Sequence, residues 1–516
     1  MQQLRLLITS DTHAQWHSHP DHPGFSLCHT AQLMKALEQS EIPTLKFDLG
    51  DLIQGSAMAT YTSQIAQDAS CYARMMNTLG YNYQVIGNHE FNHGFAYQDS
   101  ALDQLKAQIL CANIVDQLTK KPYKGKAYDL IQVGDYKVGI IGVTTHYVPH
   151  WELPEHYQDL VFLDAFETTK HYVNELRSQV DLLIVAYHGG FEADLLTGEP
   201  LENLTGENQA YQMISQIEGI DILLTGHQHR HICQSYNQSF VIQPGYGGEY
   251  VGEVTITLNQ GHLPVIKGQL HSFKECGPIQ DISALEPEYS QSSKWLNEVI
   301  GRAPLETPTQ DIHQARVHGH PFAEFLNYLM LKETGADFAG ISLLNEHFVD
   351  FKGLINRQTL LKVYPYYNQI AVSQLKGEDL YQLMEFNLAY FYLDDKEKIQ
   401  VNPSYLYPKV QHYNYDLYSG FLTEVDLRQP AGQRVQRLIN EKTGQEIDRQ
   451  AVYRLALTQY RAVGGGDYLM LSSDKLLQIM PIDIANLIIQ GLNELEETEW
   501  RTINQNYSHL SWLHLQ

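Results

Sequence analysis

The chain has 516 residues, a hydrophobic content of 43% and a formal net charge of −25 at pH 7. This length calls for more than one hydrophobic core, and the hydrophobic content excludes a disordered chain. Such an acidic surface repels a long phosphate backbone, which excludes duplex nucleic acid as an expected partner. A small phosphate would need positive charge at its binding site, and bound metal is the simplest source of it.

The first half of the chain is dominated by short apolar runs that end in polar clusters. These runs predict buried strands over residues 4–9, 44–49, 83–86, 137–143, 181–187 and 221–225. Helical spacing occurs between some of them, as at residues 30–37. The alternation predicts a layered α/β domain. No apolar run approaches the roughly 18 residues that a membrane-spanning helix needs.

The alternating pattern ends near residue 275. A connecting helix is predicted over residues 289–300, with Gly301 and Pro304 ending it, because Trp295, Leu296, Val299 and Ile300 are spaced for one helical face. Helical patterns at 321–332 and 377–390 and a strand-like run at 454–458 then predict a second α/β domain. The predicted division is 1–282, a connecting segment at 283–302, and 303–516.

The cysteines and the N-terminus bear on the cellular compartment. The five cysteines are scattered and lack C-x-x-C spacing, which disfavours a disulfide framework and a thiolate zinc site. The N-terminus has one Arg and a very short apolar stretch before Ser10, unlike a signal peptide. The expected location is therefore the cytoplasm, or outside it if an export signal has been removed.

Residues of metal-ligand type follow five of the predicted strands. They are Asp11 and His13, Asp51, Asn88 and His89, His188, and finally His227 and His229. Taken singly, each is more often a capping or hydrogen-bonded residue than a ligand. Because the carboxyl ends of such strands gather at one edge of a sheet, the whole series predicts a metal site there. Two divalent ions roughly 3.5–4 Å apart can clamp a phosphoryl oxygen and activate water, and mixed N/O ligands suit Mn, Zn, Fe or Co without choosing among them.

The series of motifs resembles the calcineurin-like metallophosphoesterases, and within them the 5′-nucleotidase/2′,3′-cyclic-nucleotide phosphodiesterase group. The residues that carry the resemblance are Asp11-x-His13, Gly50-Asp51, Gly87-Asn88-His89-Glu90, His188-Gly189-Gly190 and Gly226-His227-x-His229. It extends over nearly the whole chain. It implies an N-terminal four-layer αββα metallophosphatase sandwich, joined by a helix to a C-terminal 5′-nucleotidase-type domain that binds the base.

The resemblance also implies roles for these residues. One metal ion would be held by Asp11, His13 and His229, and the other by Asn88, His188 and His227, with Asp51 bridging both. His89 would face the scissile phosphate as a transition-state stabiliser or as the general acid for the leaving oxygen. In the family, the metals lie in one domain and the base clamp lies in the other.

Asn92 departs from the 5′-nucleotidase pattern, in which an Asp pairs with the catalytic His. The sequence G-N-H-E-F-N at residues 87–92 resembles the cyclic-phosphodiesterase branch instead. Asn can orient His89, but it cannot balance an imidazolium with a full charge. The alternative interpretation is drift at a helix start, where Asn is a good cap.

Two tyrosine-containing segments in the second domain resemble the base clamp of the same family. The first is Tyr364-Pro365-Tyr366-Tyr367-Asn368, and the second runs from Thr458 to Asp467 through a triple glycine. From composition alone they would be core tyrosines in a chain with 33 of them. The resemblance implies that Tyr366 and Tyr460 stack on a nucleobase, with Asn368 and Asp467 beside them.

The second segment also bears on the substrate. Its Y-R-A-x-G-G-G sequence is closer to the 2′,3′-cyclic branch, and Leu343-Leu344-Asn345-Glu346-His347 stands where 5′-nucleotidases carry G-G-x-R. The sequence therefore predicts a metal-dependent hydrolase of 2′,3′-cyclic nucleotides and 3′-nucleotides. The alternatives are a 5′-nucleotidase or other small-molecule phosphomonoesterase and, less favoured, a non-catalytic nucleotide-binding protein. The oligomeric state is not predicted from the sequence.

Overall fold

The computed structural model describes residues 2–15, 27–38, 41–259, 261–272, 274, 286–347, 349–366, 368–407 and 410–513. The chain divides into two compact units, Met1–Ser293 and Lys294–Gln516. The predicted boundary after residue 282 falls outside the described residues. Every helix in the described ranges is too short or too polar to cross a lipid bilayer.

The first unit alternates strands and helices as the sequence predicts. Its elements are β1 (Gln2–Thr9), α1 (Leu27–Leu37), β2 (Thr44–Asp48), α2 (Ala57–Tyr61), α3 (Ser70–Leu79), β3 (Tyr83–Val85), α4 (Gly94–Leu102), β4 (Gln108–Leu110), β5 (Ile114–Asp116), β6 (Tyr128–Val133), β7 (Tyr136–Thr144), β8 (Leu160–Phe162), α5 (Ala165–Leu176), β9 (Leu182–His188), α6 (Ala210–Gln216), β10 (Ile222–Thr225), β11 (His231–Tyr236), β12 (Ser239–Pro244), β13 (Tyr250–Leu258) and β14 (Val265–Ser272).

Two six-stranded sheets form the centre of this unit, in the orders β14-β13-β1-β2-β3-β4 and β11-β12-β10-β9-β7-β6. Alternate residues of β1 face opposite sides. Leu6 and Ile8 pack in a core with Ile184 of the other sheet, whereas Leu7 packs among helical residues such as Met76 of α3. Burial on both faces explains why β1 is apolar at three consecutive positions, residues 6–8. The predicted α/β class is confirmed, with four αββα layers.

The predicted connecting helix ends earlier than its spacing suggests. Helix α7 spans Glu286–Leu296, and β15 begins at Val299. Val299 and Ile300 are β-branched, and β15 pairs antiparallel with the later strand Gly353–Asn356. This long-range pairing overrides a helical spacing of apolar residues, because β-branched side chains favour strands.

The second unit contains further sheets and helices. Its elements after α7 are β15 (Val299–Ala303), α8 (Ile312–His318), α9 (Pro321–Thr334), β16 (Phe338–Ser342), β17 (Gly353–Asn356), α10 (Arg357–Val363), β18 (Gln369–Lys376), α11 (Gly377–Leu388), β19 (Phe391–Leu393), β20 (Ile399–Val401), β21 (Asp416–Ser419), β22 (Phe421–Val425), β23 (Val435–Asn440), β24 (Val452–Thr458), α12 (Gln459–Ala462), β25 (Leu476–Asp483), α13 (Ile484–Glu494), α14 (Glu497–Gln505) and β26 (Leu510–Trp512). The main sheet has the order β21-β16-β24-β18-β25.

Candidate functional site

The ligand-type side chains of the first unit converge at the carboxyl ends of strands from both sheets. Strands β1, β2 and β3 are parallel neighbours in one sheet, and β9 and β10 are parallel neighbours in the other. The loops after these strands, or the last residue in the case of β9, carry Asp11, His13, Asp51, Asn88, His89, His188, His227 and His229. The two sheets thus present their functional residues at a shared edge.

The first group consists of Asp11, His13 and His229, whose ligand atoms all lie within 4.8 Å of one another. Nε2 of His13 lies 3.1 Å from Nε2 of His229. Nδ1 of His13 lies 3.1 Å from the Gln54 carbonyl oxygen, which can only accept, so Nδ1 carries the proton and the Nε2 lone pair faces the group. Burial lowers the pKa of His13 to about 3, which keeps the ring in the neutral form that binds metal.

The second group consists of Asp51, His188 and His227, again within 4.8 Å of one another. His188 donates Nδ1–H to the Leu49 carbonyl oxygen at 2.7 Å, which turns Nε2 towards the group. That Nε2 lies 2.9 Å from Oδ1 of Asn88 and 3.3 Å from Oδ2 of Asp51. Nδ1 of His227 lies 2.9 Å from the same Asn88 oxygen. Asn88 therefore joins this group through its carbonyl oxygen.

These atoms fit a pair of divalent cations. Oδ2 of Asp51 is buried and accepts no hydrogen bond within the described residues. Nε2 of His188 faces two acceptor oxygens, an arrangement that is stable only with a positive charge between them, either a proton on Nε2 or a metal ion. Burial alone would lower the pKa of His188, but Asp51 outweighs it and raises that pKa to about 10. A divalent cation would supply the positive charge that these carboxylates favour here.

The backbone of the ligand residues is held in an unusual conformation. Asp11, His13, Asp51, His227 and His229 have φ angles between 48° and 67°, in the left-handed region that non-glycine residues rarely adopt. Such conformations cost about 1–3 kcal/mol each and persist only where the surrounding structure enforces them. Five of the six residues in the two candidate groups adopt this conformation, so the surrounding structure, and not local backbone preference, sets the shape of these loops.

His89 lies beside the two groups without belonging to either. Its backbone N–H donates to Oδ1 of Asp51 at 2.9 Å, and its ring centroid lies 5.3 Å from that of His13. Its Nδ1 donates to Oδ1 of Asn92 at 2.7 Å. The contact with Asn92 directs Nε2 away from Asn92, so this nitrogen is available to a substrate.

Several residues around the groups were not singled out by sequence reasoning. The Glu90 carboxylate accepts the backbone N–H groups of Gly87, Asp51 and Leu52 at 2.5, 2.9 and 2.6 Å and so joins two ligand loops. Glu207 accepts from Nε2 of His227 at 2.8 Å, which turns Nδ1 inward. Glu90 is part of the Gly87-Asn88-His89-Glu90 motif, from which its role could have been inferred. Glu207 belongs to no motif, and nothing in the sequence around it indicates its contact with His227.

The predicted base-binding residues lie in the second unit. Tyr366 follows α10 and is 45% exposed, and Asn368 immediately precedes β18. Tyr460 is half-buried in α12, and Asp467 is exposed with a φ of 65°.

A buried arginine fixes the loop that carries Tyr460. Arg461 donates Nε–H to Oδ2 of Asp416 at 2.8 Å and an Nη2–H to the Tyr413 carbonyl oxygen at 2.6 Å. It also donates to the carbonyl oxygen of Gly465. A Cβ atom at Gly465 would lie 2.6 Å from Cζ of Tyr460, so the loop passes directly against the tyrosine ring. Glycine is required there by close approach.

Residues 343–347, which stand where 5′-nucleotidases carry G-G-x-R, nevertheless accept hydrogen bonds from an arginine. Arg316 of α8 is almost completely buried and donates to the carbonyl oxygens of Leu343, at 2.9 Å, and of Asn345. Asn345 in turn donates to the Lys362 carbonyl oxygen at 2.6 Å. The guanidinium therefore holds the segment's backbone from a different element of the chain.

Comparison with known proteins matches both units to described families. The profile of the calcineurin-like phosphoesterases matches residues 4–231, and that of the 5′-nucleotidase C-terminal domain matches residues 299–473. A crystal structure from Staphylococcus aureus, described provisionally as that of a 5′-nucleotidase in complex with alpha-ketoglutarate, is 30% identical with a TM-score of 0.92, and 99% of each chain is covered.

Two curated relatives are similar over most of their length. A 2′,3′-cyclic-nucleotide 2′-phosphodiesterase/3′-nucleotidase from Yersinia enterocolitica is 27% identical, with 90% of this chain and 81% of the relative covered. The snake venom 5′-nucleotidase of Naja atra is 24% identical, with 92% of each covered. The relatives thus include both kinds of nucleotide hydrolase that the sequence left open.

Proposed function

The chain belongs to the calcineurin-like phosphoesterases that carry a 5′-nucleotidase C-terminal domain, and on that premise we propose that it acts mainly on 2′,3′-cyclic nucleotides and 3′-nucleotides. Metal-dependent hydrolysis of nucleotide phosphoesters is the activity of this family. The observation that carries the finer proposal is the hydrogen bond from His89 to Asn92, where 5′-nucleotidases of the group have an aspartate.

The two groups of side chains would hold two divalent ions. Asp11, His13 and His229 would bind one ion, and Asn88, His188 and His227 the other, with Asp51 shared between them. Their oxygen and nitrogen donors suit Mn, Zn, Fe or Co. Ions bound in this way polarise a phosphoryl oxygen and lower the pKa of water, so that a nucleophile forms at neutral pH.

His89 is the residue of this chain that would act on the reacting phosphate. With Nδ1–H donated to Asn92, Nε2 of the imidazolium form can hold its proton towards a phosphate oxygen or pass it to the leaving oxygen. In opening a 2′,3′-cyclic phosphate, water adds to phosphorus, the bond from phosphorus to the ribose 2′-oxygen breaks, and that oxygen takes the proton. The product is a 3′-nucleotide, and a second hydrolysis releases the nucleoside and inorganic phosphate.

A competition assay tests this preference. The protein is incubated with Mn²⁺ or Zn²⁺ and equal amounts of 2′,3′-cyclic AMP, 3′-AMP and 5′-AMP, and the products are separated by chromatography. We expect the cyclic compound to disappear first, with 3′-AMP and adenosine formed, and a chelator to abolish the reaction. Preferential loss of 5′-AMP would contradict the proposed specificity and leave the metal-dependent chemistry intact.

A 5′-nucleotidase is the second candidate. It is favoured by the similarity to the snake venom 5′-nucleotidase of Naja atra and to the Staphylococcus aureus protein, which is described provisionally as a 5′-nucleotidase. Asn92 in place of the aspartate and the lack of the G-G-x-R motif speak against it. The same assay separates the two candidates, because 5′-AMP is present in the mixture.

The proposed role of Tyr460 gives a further prediction. Tyr460→Ala should raise the KM for 2′,3′-cyclic AMP, because each stacked base face contributes about 1–3 kcal/mol. The KM for bis(4-nitrophenyl) phosphate, which carries no nucleobase, should remain close to that of the wild type. Tyr407→Ala, at an exposed tyrosine outside the proposed clamp, is the matched control. An equal rise in KM for both substrates would argue against base stacking by Tyr460.

A further inference from the structure

Glu152 lies directly behind the Asn92 that contacts His89. The Asn92 amide donates Nδ2–H to Oε2 of Glu152 at 2.7 Å, and Oδ1 of Asn92 lies 2.7 Å from Nδ1 of His89. Three side chains from two separate segments thus form a continuous chain of hydrogen bonds. Glu152 belongs to none of the sequence motifs.

The Glu152 carboxylate is held in place from its other side. Its Oε1 accepts the backbone N–H of Leu153 at 2.9 Å and Nδ1–H of His156 at 2.8 Å. The side chain of Glu152 is only 8% exposed, and the hydrogen bond with it raises the pKa of His156. The neighbouring Trp151 stacks on the ring of His227, with centroids 5.6 Å apart, so the segment is fixed against the candidate site.

The chemistry of the three groups determines their orientation. An ionised carboxylate only accepts hydrogen bonds, so Glu152 must face the NH₂ end of the Asn92 amide. The carbonyl end is then turned to His89 and can only accept from it. His89 is thereby held with Nδ1–H on Asn92, and its Nε2, which carries the second proton in the imidazolium form, is directed to the substrate. Without the carboxylate, the Asn92 amide could rotate and present NH₂ to His89, which would select the opposite tautomer.

We propose that Glu152 is a positioning residue for the phosphoesterase reaction, which acts through Asn92 to fix the orientation and tautomer of His89. The buried carboxylate also places a negative charge behind the neutral amide. The pair Asn92–Glu152 would then do the work that a single aspartate does in the 5′-nucleotidase pattern. This inference rests on the proposed role of His89 at the reacting phosphate.

Exchange of the two partners tests the proposal. In Mn²⁺-loaded protein, Glu152→Gln should lower kcat about 10- to 100-fold, in the range of residues that orient a functional imidazole, with KM and metal content little changed. Asn92→Asp alone should also lower kcat, because it brings a second carboxylate against Glu152. The double variant Asn92→Asp/Glu152→Gln should recover activity above both single variants, because the new amide can donate to the new carboxylate.

The recovery separates positioning from a merely structural role. If Glu152 only supported the fold, the double variant would lose at least as much activity as either single variant, and that result would overturn the proposal. Wild-type kcat in Glu152→Gln would overturn it as well. Glu155→Gln removes a charge from an exposed residue of the same segment and is the matched control.

The choice of substrates keeps this test separate from that of the proposed function. The variants are compared on bis(4-nitrophenyl) phosphate, a generic phosphodiester that reports on the shared chemistry. Turnover of 2′,3′-cyclic AMP by the wild type is measured independently. If the wild type does not hydrolyse 2′,3′-cyclic AMP, the proposed substrate preference is refuted. The role of Glu152 is decided separately, by the kcat values of the variants on bis(4-nitrophenyl) phosphate.

Discussion

His89→Ala is expected to bind its metal ions like the wild type and to lose about 10²- to 10⁴-fold in kcat, the usual contribution of a positioned general acid or base. Metal binding should survive because the His89 side chain lies outside both ligand groups, Asp11–His13–His229 and Asp51–His188–His227. Its contact with Asp51 is made by the backbone N–H, which alanine retains. The value of kcat should fall because alanine removes the imidazole that is proposed to act on the phosphate, and no other imidazole contacts Asn92 among the described residues.

Two measurements on the same preparation check this expectation. Bound metal is quantified by plasma emission spectrometry, and kcat is measured on 2′,3′-cyclic AMP and on bis(4-nitrophenyl) phosphate. The control is His171→Ala, which removes an exposed imidazole from α5 and should match the wild type in both. Unchanged turnover would remove His89 from the mechanism. Loss of one equivalent of metal would make His89 a ligand instead of a group that acts on the substrate.

Gly87→Ala is expected to reduce metal affinity about 10- to 100-fold or more. A Cβ atom at this position would overlap Oδ1 of Asp51 and would lie 2.7 Å from Oε2 of Glu90. Neither neighbour can move freely. Asp51 is the carboxylate proposed to serve both ions, and Glu90 holds the backbone of both loops through its three hydrogen bonds. The added methyl group must therefore displace the loop of Asp51, the loop of Asn88, or both.

Calorimetric titration of the metal-free protein with Mn²⁺ or Zn²⁺ measures the effect, and thermal unfolding of the metal-free form measures any general destabilisation. Overpacking alone would cost about 1–3 kcal/mol. The control is Gly80→Ala, at the end of α3, where a Cβ atom meets nothing within 4 Å and only the backbone conformation is strained. Wild-type metal affinity in Gly87→Ala would mean that Asp51 does not serve the bound ions from its present position.

The strands that carry the site were the most predictable part of the fold. Residues 4–9 are mostly apolar and residues 182–187 are entirely so, and both segments are buried strands with a ligand-type residue at or just after their ends. Such runs are recognisable because both faces of the strand are covered. The helix predicted to reach Ile300 was wrong in its last turn, since pairing of Val299 with Asn356 is a contact that no local spacing reveals.

The sequence by itself determined which ligand-type residues are available at the candidate site. Asp11, Asp51, Asn88, His188 and His229 each follow or end an apolar run, and this order along the chain is preserved however the loops fold. The resemblance to a known family rests on the same residues. Chain order and residue type are local properties, and they therefore carry over from sequence to structure without knowledge of the packing.

Only the tertiary structure decided how those residues are oriented. Glu152 contacts Asn92, from which it is separated by 60 residues in sequence, and Glu207 contacts His227, 20 residues away. Neither glutamate belongs to a motif or a periodic pattern that predicts the contact. The proton of His188 is fixed by the carbonyl of Leu49, 139 residues away. A hydrogen bond depends on distance and direction between groups that only folding brings together, so the tautomers, the supporting carboxylates and the strained φ angles had to come from the folded chain.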